Sequence, residues 1–77
     1  MTLNQAVFKR MNDIAISRNE SLSQMAIKCG INPATLYHLK TRPLLPSLLT
    51  VRRLCDGLKM TMSEFFDIDY INMAEFE

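Results

Sequence analysis

Three side chains in this sequence have the intrinsic reactivity for covalent or metal chemistry: Cys29, Cys55 and the single histidine, His38. A thiolate beside an imidazole makes a nucleophile pair, two thiols make a disulfide, and Cys with His begins a zinc site. None of these goes further. Two cysteines cannot build a disulfide framework, and a zinc site would need carboxylates at unsuitable spacings. No glycine-rich phosphate loop is present. The expectation is two buried, reduced thiols, with no catalytic residue, no metal and no cofactor. The six methionines, half of them at core spacing, read as core filler.

The other chemistry open to these residue types is recognition of a polyanion. The net charge of +1 conceals a division. Residues 1–59 hold all nine basic residues against Asp13, Glu20 and Asp56, a net of +6. Residues 60–77 hold five acids and no base, a net of −5. A basic body with an acidic tail suits a polyanion partner, and equally it is ordinary solvated charge.

The elements that must position such residues are helices. Seventy-seven residues make one small domain, 48% hydrophobic and 22% charged, which is a globular balance. Two Gly and three Pro leave little for the turns of a β fold. No apolar run is long enough for a membrane and no signal peptide is visible, so a soluble cytoplasmic domain is expected, without an active-site cleft between domains.

Leu3, Val7, Met11 and Ile14 step by helical spacing, widened by Phe8 and Ala15, and Ser17–Glu20 ends that first helix. Ser21 and Gln24 make a capping box for a second helix with Leu22, Met25, Ala26 and Cys29 inward, and Gly30 ends it. Asn32 caps a third helix that has Pro33 at its first position and Leu36 and Leu39 inward. Ser47 caps a fourth, with Leu48, Val51, Leu54, Cys55 and Leu58 inward, and Thr61 with Glu64 opens a fifth. Beyond Asp67 the tail extends that helix, docks on the body or stays loose.

The informative spacing runs from Ser21 to Leu39. Two short capped helices joined by a Gly-centred turn form a helix-turn-helix. Ala26 is small where the helices cross, and Ile31 and Leu36 lock the second helix to the first. The outer face of that helix, with Ala34, Thr35, Tyr37, His38 and Thr41, then projects as a ridge that fits a major groove.

The stretch Ser21-Leu-Ser-Gln-Met-Ala-Ile-Lys-Cys-Gly-Ile-Asn-Pro-Ala-Thr-Leu-Tyr-His-Leu39 resembles the helix-turn-helix of the phage-repressor, or XRE, family of Cro-like and lambda-repressor-like proteins. The resemblance continues through Pro46-Ser-Leu-Leu-Thr-Val-Arg-Arg-Leu-Cys-Asp-Gly-Leu58 and Thr61-Met-Ser-Glu-Phe-Phe66. It implies an all-α, compact five-helix, lambda-repressor-like DNA-binding domain over residues 1–67, followed by an acidic C-terminal tail over 68–77. It also implies base reading at Ala34, Thr35 and His38, and backbone contacts from Ser21, Lys28, Pro33, Tyr37, Lys40, Thr41 and Arg42. Pro33 has no donor for a base edge, and Tyr37 either meets a phosphate or packs on the body. Leu22 stands where many members of that family place Gln, and Pro43-Leu44-Leu45 replaces a commonly basic loop.

The function expected is a sequence-specific DNA-binding transcriptional regulator, a repressor, that inserts its third helix into the major groove of double-stranded DNA. It would work as a homodimer paired through Phe65, Phe66, Tyr70 and Ile71. The alternative is an antitoxin-like or adaptor module on the same scaffold, with a protein partner at Leu44, Leu45 or the tail.

Overall fold

Short side chains at fixed offsets start most of the helices in the computed structural model, which describes residues 1–41 and 45–75. Capping boxes open three of them. Thr2 Oγ1 accepts from the Gln5 amide ahead of α1 (Leu3–Ser17), Ser21 from Gln24 ahead of α2 (Leu22–Lys28), and Thr61 from Glu64 ahead of α5 (Met62–Phe66). In each box the third-position side chain accepts in return from the cap's own backbone N–H, which satisfies two helix-end donors together. Asn32 Oδ1 accepts from the Ala34 amide at 3.0 Å to start α3 (Pro33–Thr41). Ser47 does the same for Thr50 at 3.1 Å to start α4 (Leu48–Leu58).

Three helices stop with one arrangement, in which a residue with left-handed backbone lets two amides satisfy the last free carbonyls. Asn19 (φ 57°) serves α1, Gly30 (φ 73°) serves α2 and Lys59 (φ 56°) serves α4. At α2 the Gly30 N–H donates to Ile27 O at 3.1 Å and the Ile31 N–H to Ala26 O at 2.9 Å.

The core lies where the helical stripes predict. Val7, Met11, Ile14 and Ala15 of α1 are buried against Leu22, Met25 and Ala26 of α2, Leu36 and Leu39 of α3, and Val51, Leu54, Cys55 and Leu58 of α4, with Phe65 enclosed among them. Arg10 reaches across from α1 to the end of α5, where its Nε and Nη2 donate to Phe65 O at 2.7 Å and Glu64 O at 2.6 Å. Arg18 donates to Leu58 O at the end of α4, at 2.9 Å.

One feature differs from the sequence reading, and two others go beyond it. Leu48, expected inward, is 73% exposed. It is the first residue of α4, and helical Cα–Cβ bonds lean toward the N-terminus, so its side chain leaves the end of the helix instead of joining the stripe. Gly57 lies inside α4, and Lys59 supplies the left-handed residue that ends the helix. A Cβ on Gly57 would overlap Cys29 Sγ and lie 2.9 Å from Cys29 Cα, so α4 touches the end of α2 there with no room for a side chain. The tail docks: a sixth helix, α6 (Asp69–Asn72), packs on α1. The Tyr70 hydroxyl donates to Asp13 Oδ2 at 3.1 Å, Lys9 Nζ sits 5.1 Å from the Tyr70 ring centre, and Leu3 N–H and Glu75 N–H exchange bonds with Glu75 O and Met1 O. Among the described residues, no helix is long and apolar enough to cross a membrane.

Candidate nucleic-acid interface

The orientation of α3 follows from two residues. Leu36 is fully enclosed and Leu39 is buried, and with 100° between successive residues this leaves Ala34, Thr35, Tyr37, His38 and Thr41 outside. Buried Ala26 in α2 and Ile31 in the turn hold that face in place. The helix-turn-helix is therefore a unit with a locked inside and a short, polar outside. Pro33 is half-buried at the start of α3, and Thr41 Oγ1 folds back on His38 O at 3.4 Å. Tyr37 is 43% exposed, so its ring does not finish the core.

The three expected base-reading side chains, Ala34, Thr35 and His38, share this face. Among the described residues, no hydrogen bond engages the side chains of Thr35 and His38; the Thr41 hydroxyl meets only the His38 backbone carbonyl. Ser21 is exposed at the start of α2, its oxygen committed to the cap while its hydroxyl proton is free to donate. Leu22, the first residue of α2, is buried and belongs to the core. Arg42 lies outside the described residues, as does Leu44.

The basic residues are not equivalent. Arg10 and Arg18 are committed to helix-end carbonyls. Lys9 pairs with Asp13 at 3.0 Å, Arg52 with Asp56 at 3.1 Å and Lys28 with Glu20 at 2.7 Å. Lys40, Arg53 and Lys59 are exposed and have no ion pair among the described residues. The +6 of the body thus overstates what is at hand for a phosphate. Among the described residues of α2 and α3, Lys40 has no ion pair, and Lys28 is held in a surface pair that costs little to break. Sequence reasoning missed the duties of Arg10, Arg18 and Lys28 because the fold brings in their partners, whereas Lys9–Asp13 and Arg52–Asp56 are four apart on one helix and their spacing could have shown them.

The reactive side chains stand apart from this surface. Cys29 and Cys55 are buried and unlinked, and burial pushes both thiols above the ordinary value. They are protonated at neutral pH, which removes their nucleophilic form. Cys29 Sγ donates a weak bond to Leu54 O at 3.7 Å, next to the Gly57 contact.

A family model described as a Cro/C1-type HTH DNA-binding domain matches residues 10–69. No curated protein and no solved structure matches the chain.

Proposed function

The chain belongs to the Cro/C1-type helix-turn-helix DNA-binding family, and from that membership we propose a sequence-specific transcriptional regulator that acts as a cytoplasmic repressor by inserting α3 into the major groove. The observation that carries the reading is the locked α3: Leu36 and Leu39 inside hold Ala34, Thr35 and His38 outside in a fixed frame. Thr35 and His38 supply hydrogen-bonding groups for base edges, and Ala34 supplies a methyl for thymine. Ser21, Lys28, Pro33, Tyr37, Lys40, Thr41 and Arg42 surround them as backbone contacts, which position the helix without reading sequence. The protein does no catalysis in this reading.

One recognition helix reads only a few base pairs, so the regulator works as a homodimer on two half-sites about one helical turn apart. Of the four residues expected to pair the copies, Phe65 is fully enclosed in the core, and Tyr70 is engaged with Asp13 of its own α1. A second reading, an antitoxin-like or adaptor module, is favoured by one observation: Leu45, Leu48 and Leu49 are all more than half exposed.

Selection of bound sequences from a random duplex pool tests the leading reading. The parent enriches one motif. Thr35→Ala and His38→Ala each lose about 1–3 kcal/mol of discrimination at a single base pair, with unfolding unchanged. A pool that enriches nothing at low salt would sink the proposal.

A further inference from the structure

Between the start of α1, the start of α4 and the end of α5 lies an open apolar groove of about 160 Å³. Val7 and Val51 are buried at its base, Leu3 and Phe66 are half-buried at its walls, and Leu45 and Leu48 are exposed at its rim. Among the described residues no charged or hydrogen-bonding side chain lines it. An apolar space of about 150 Å³ accepts a benzene-sized ring, so the groove has the size and chemistry for one phenyl group.

The tail leads such a group to this place. Thr2 and Glu75 pair in a parallel bridge, in which the Glu75 N–H donates to Met1 O at 3.0 Å and the Leu3 N–H donates to Glu75 O at 3.1 Å. Along extended backbone successive side chains alternate between two faces. Ala74 is half-buried and Glu75 is exposed, so the next step turns inward again. Across the bridge, Leu3 follows Thr2 and its side chain walls the groove. The residue that follows Glu75 is Phe76; it lies outside the described residues, and the register of the bridge sets its position beside Leu3. Met1, the other apolar residue next to the bridge, is 52% exposed and does not line the groove.

We propose that Phe76 seats its ring in this groove, over Val7 and Val51 and between Leu3 and Phe66. The same alternation keeps the two acids that flank Phe76, Glu75 and Glu77, in solvent on either side of the ring. The tail is then a strap fastened in succession by Tyr70 on Asp13, by Glu75 on Leu3 and by Phe76 in the groove. The first two fastenings hold it to α1. The third also reaches α4 and the connector before it, and so ties the segment that follows α3 to the core. The seat goes beyond the regulator reading and does not depend on it.

Nuclear magnetic resonance of the full chain without DNA, with the phenylalanine rings and the Leu and Val methyls labelled, tests it. In the parent, the Phe76 ring shows Overhauser contacts to the methyls of Leu3 and Val51. Phe76→Ala shifts those methyl resonances and leaves the methyls of Leu36 and Leu39 in place. It also lowers the thermal midpoint by about 4–8 °C, whereas Phe76→Leu lowers it less and Met73→Ala, at a side chain 82% exposed, leaves it unchanged. The loss shrinks when Leu3→Ala is already present, because the two side chains share one contact. A Phe76 ring without contacts to those methyls overturns the proposal, as does a Phe76→Ala chain with the parent's midpoint. Groove methyls that shift with the parent's concentration would assign the groove to a second copy. A hydrophobic dye that binds the parent as tightly as it binds Phe76→Ala would show the groove open. Either result removes the seat.

Discussion

The α2–α3 unit and the start of α4 are one connector apart, yet they treat hydrophobicity in opposite ways. In α2–α3, Leu22, Met25, Ala26, Leu36 and Leu39 are all buried and the outside of α3 is short and polar apart from Tyr37. At the start of α4, Leu45, Leu48 and Leu49 stand outside while only Val51 behind them is enclosed. The difference shows that a leucine reports a core only where a neighbouring element faces it. Along α3 both α1 and α2 do. At the start of α4 the neighbouring ends of α1 and α5 leave an open groove instead of closing over the leucines, and the exposed apolar area that results is the kind that marks a contact surface.

The largest expected effect measures that contrast directly. Leu36→Ala removes an enclosed side chain between α1 and α2 and costs about 2–5 kcal/mol of stability in urea unfolding. Leu48→Ala removes one that is 73% exposed and changes the monomer's stability by about 0.5 kcal/mol or less. Similar costs for the two would mean that α4 begins deeper in the core than its exposure indicates.

The glycines give the next effect. Gly57→Ala pushes a methyl onto Cys29, including its Cα, which cannot swing away. The cost is about 1–3 kcal/mol, and Cys29→Ala in the same chain restores only part of it, because the backbone atom remains. Gly30 has open space around it, so Gly30→Ala pays only for its left-handed backbone, about 1–2 kcal/mol. A Gly57→Ala chain as stable as the parent would place α4 further from α2.

These residues also show what was legible in the sequence. Helices α1 to α5 were readable because caps and stripes are local: Ser21 with Gln24 and Thr61 with Glu64 form within one turn. So was the outward face of α3, which needs only the spacing of Leu36 and Leu39. The role of Gly57 was not, because its reason is Cys29, 28 residues earlier. Nor were the duties of Arg10 and Arg18, whose carbonyl partners lie 55 and 40 residues on. The docking of the tail depends on Asp13 and Leu3 in the same way, and Leu48 misled because periodicity does not say where a helix outruns its neighbour.

A smaller effect separates two lysines that are alike in sequence. Lys40 has no ion pair among the described residues, whereas Lys28 is held by Glu20 at 2.7 Å. Each phosphate contact contributes about 0.9 to the slope of log affinity against log salt. Lys40→Ala therefore lowers the slope by about that amount and weakens all duplexes alike. Glu20→Gln frees Lys28 and strengthens binding to all sequences modestly, without altering which motif is selected. Fluorescence anisotropy over a salt series reads both. A Glu20→Gln chain with unchanged affinity and slope would remove Lys28 from the phosphate contacts.

The smallest effect distinguishes the α2–α3 unit from the half that follows it by their capping boxes. In α2 the returning side chain is Gln24 and in α5 it is Glu64, whose Oε1 accepts from the Thr61 N–H at 2.8 Å. That bond and its Thr61 neighbour hold the Glu64 carboxyl below the ordinary glutamate value. A folded value below the unfolded one gives stability that is fully present above the unfolded value and is lost as pH falls through the folded value. The loss therefore begins at the ordinary glutamate value and continues into more acid conditions. Glu64→Gln keeps the box, as Gln24 does for α2, and removes this titration. The thermal midpoint of the parent should fall more steeply than that of Glu64→Gln across that acid range, with the parent at least as stable near neutrality, where the carboxylate also favours the N-terminus of α5. The carboxyl is fully exposed, so solvent screens the difference and keeps it small. Parallel midpoint curves for the two chains would show that the α5 cap holds its acid no better than the unfolded chain does.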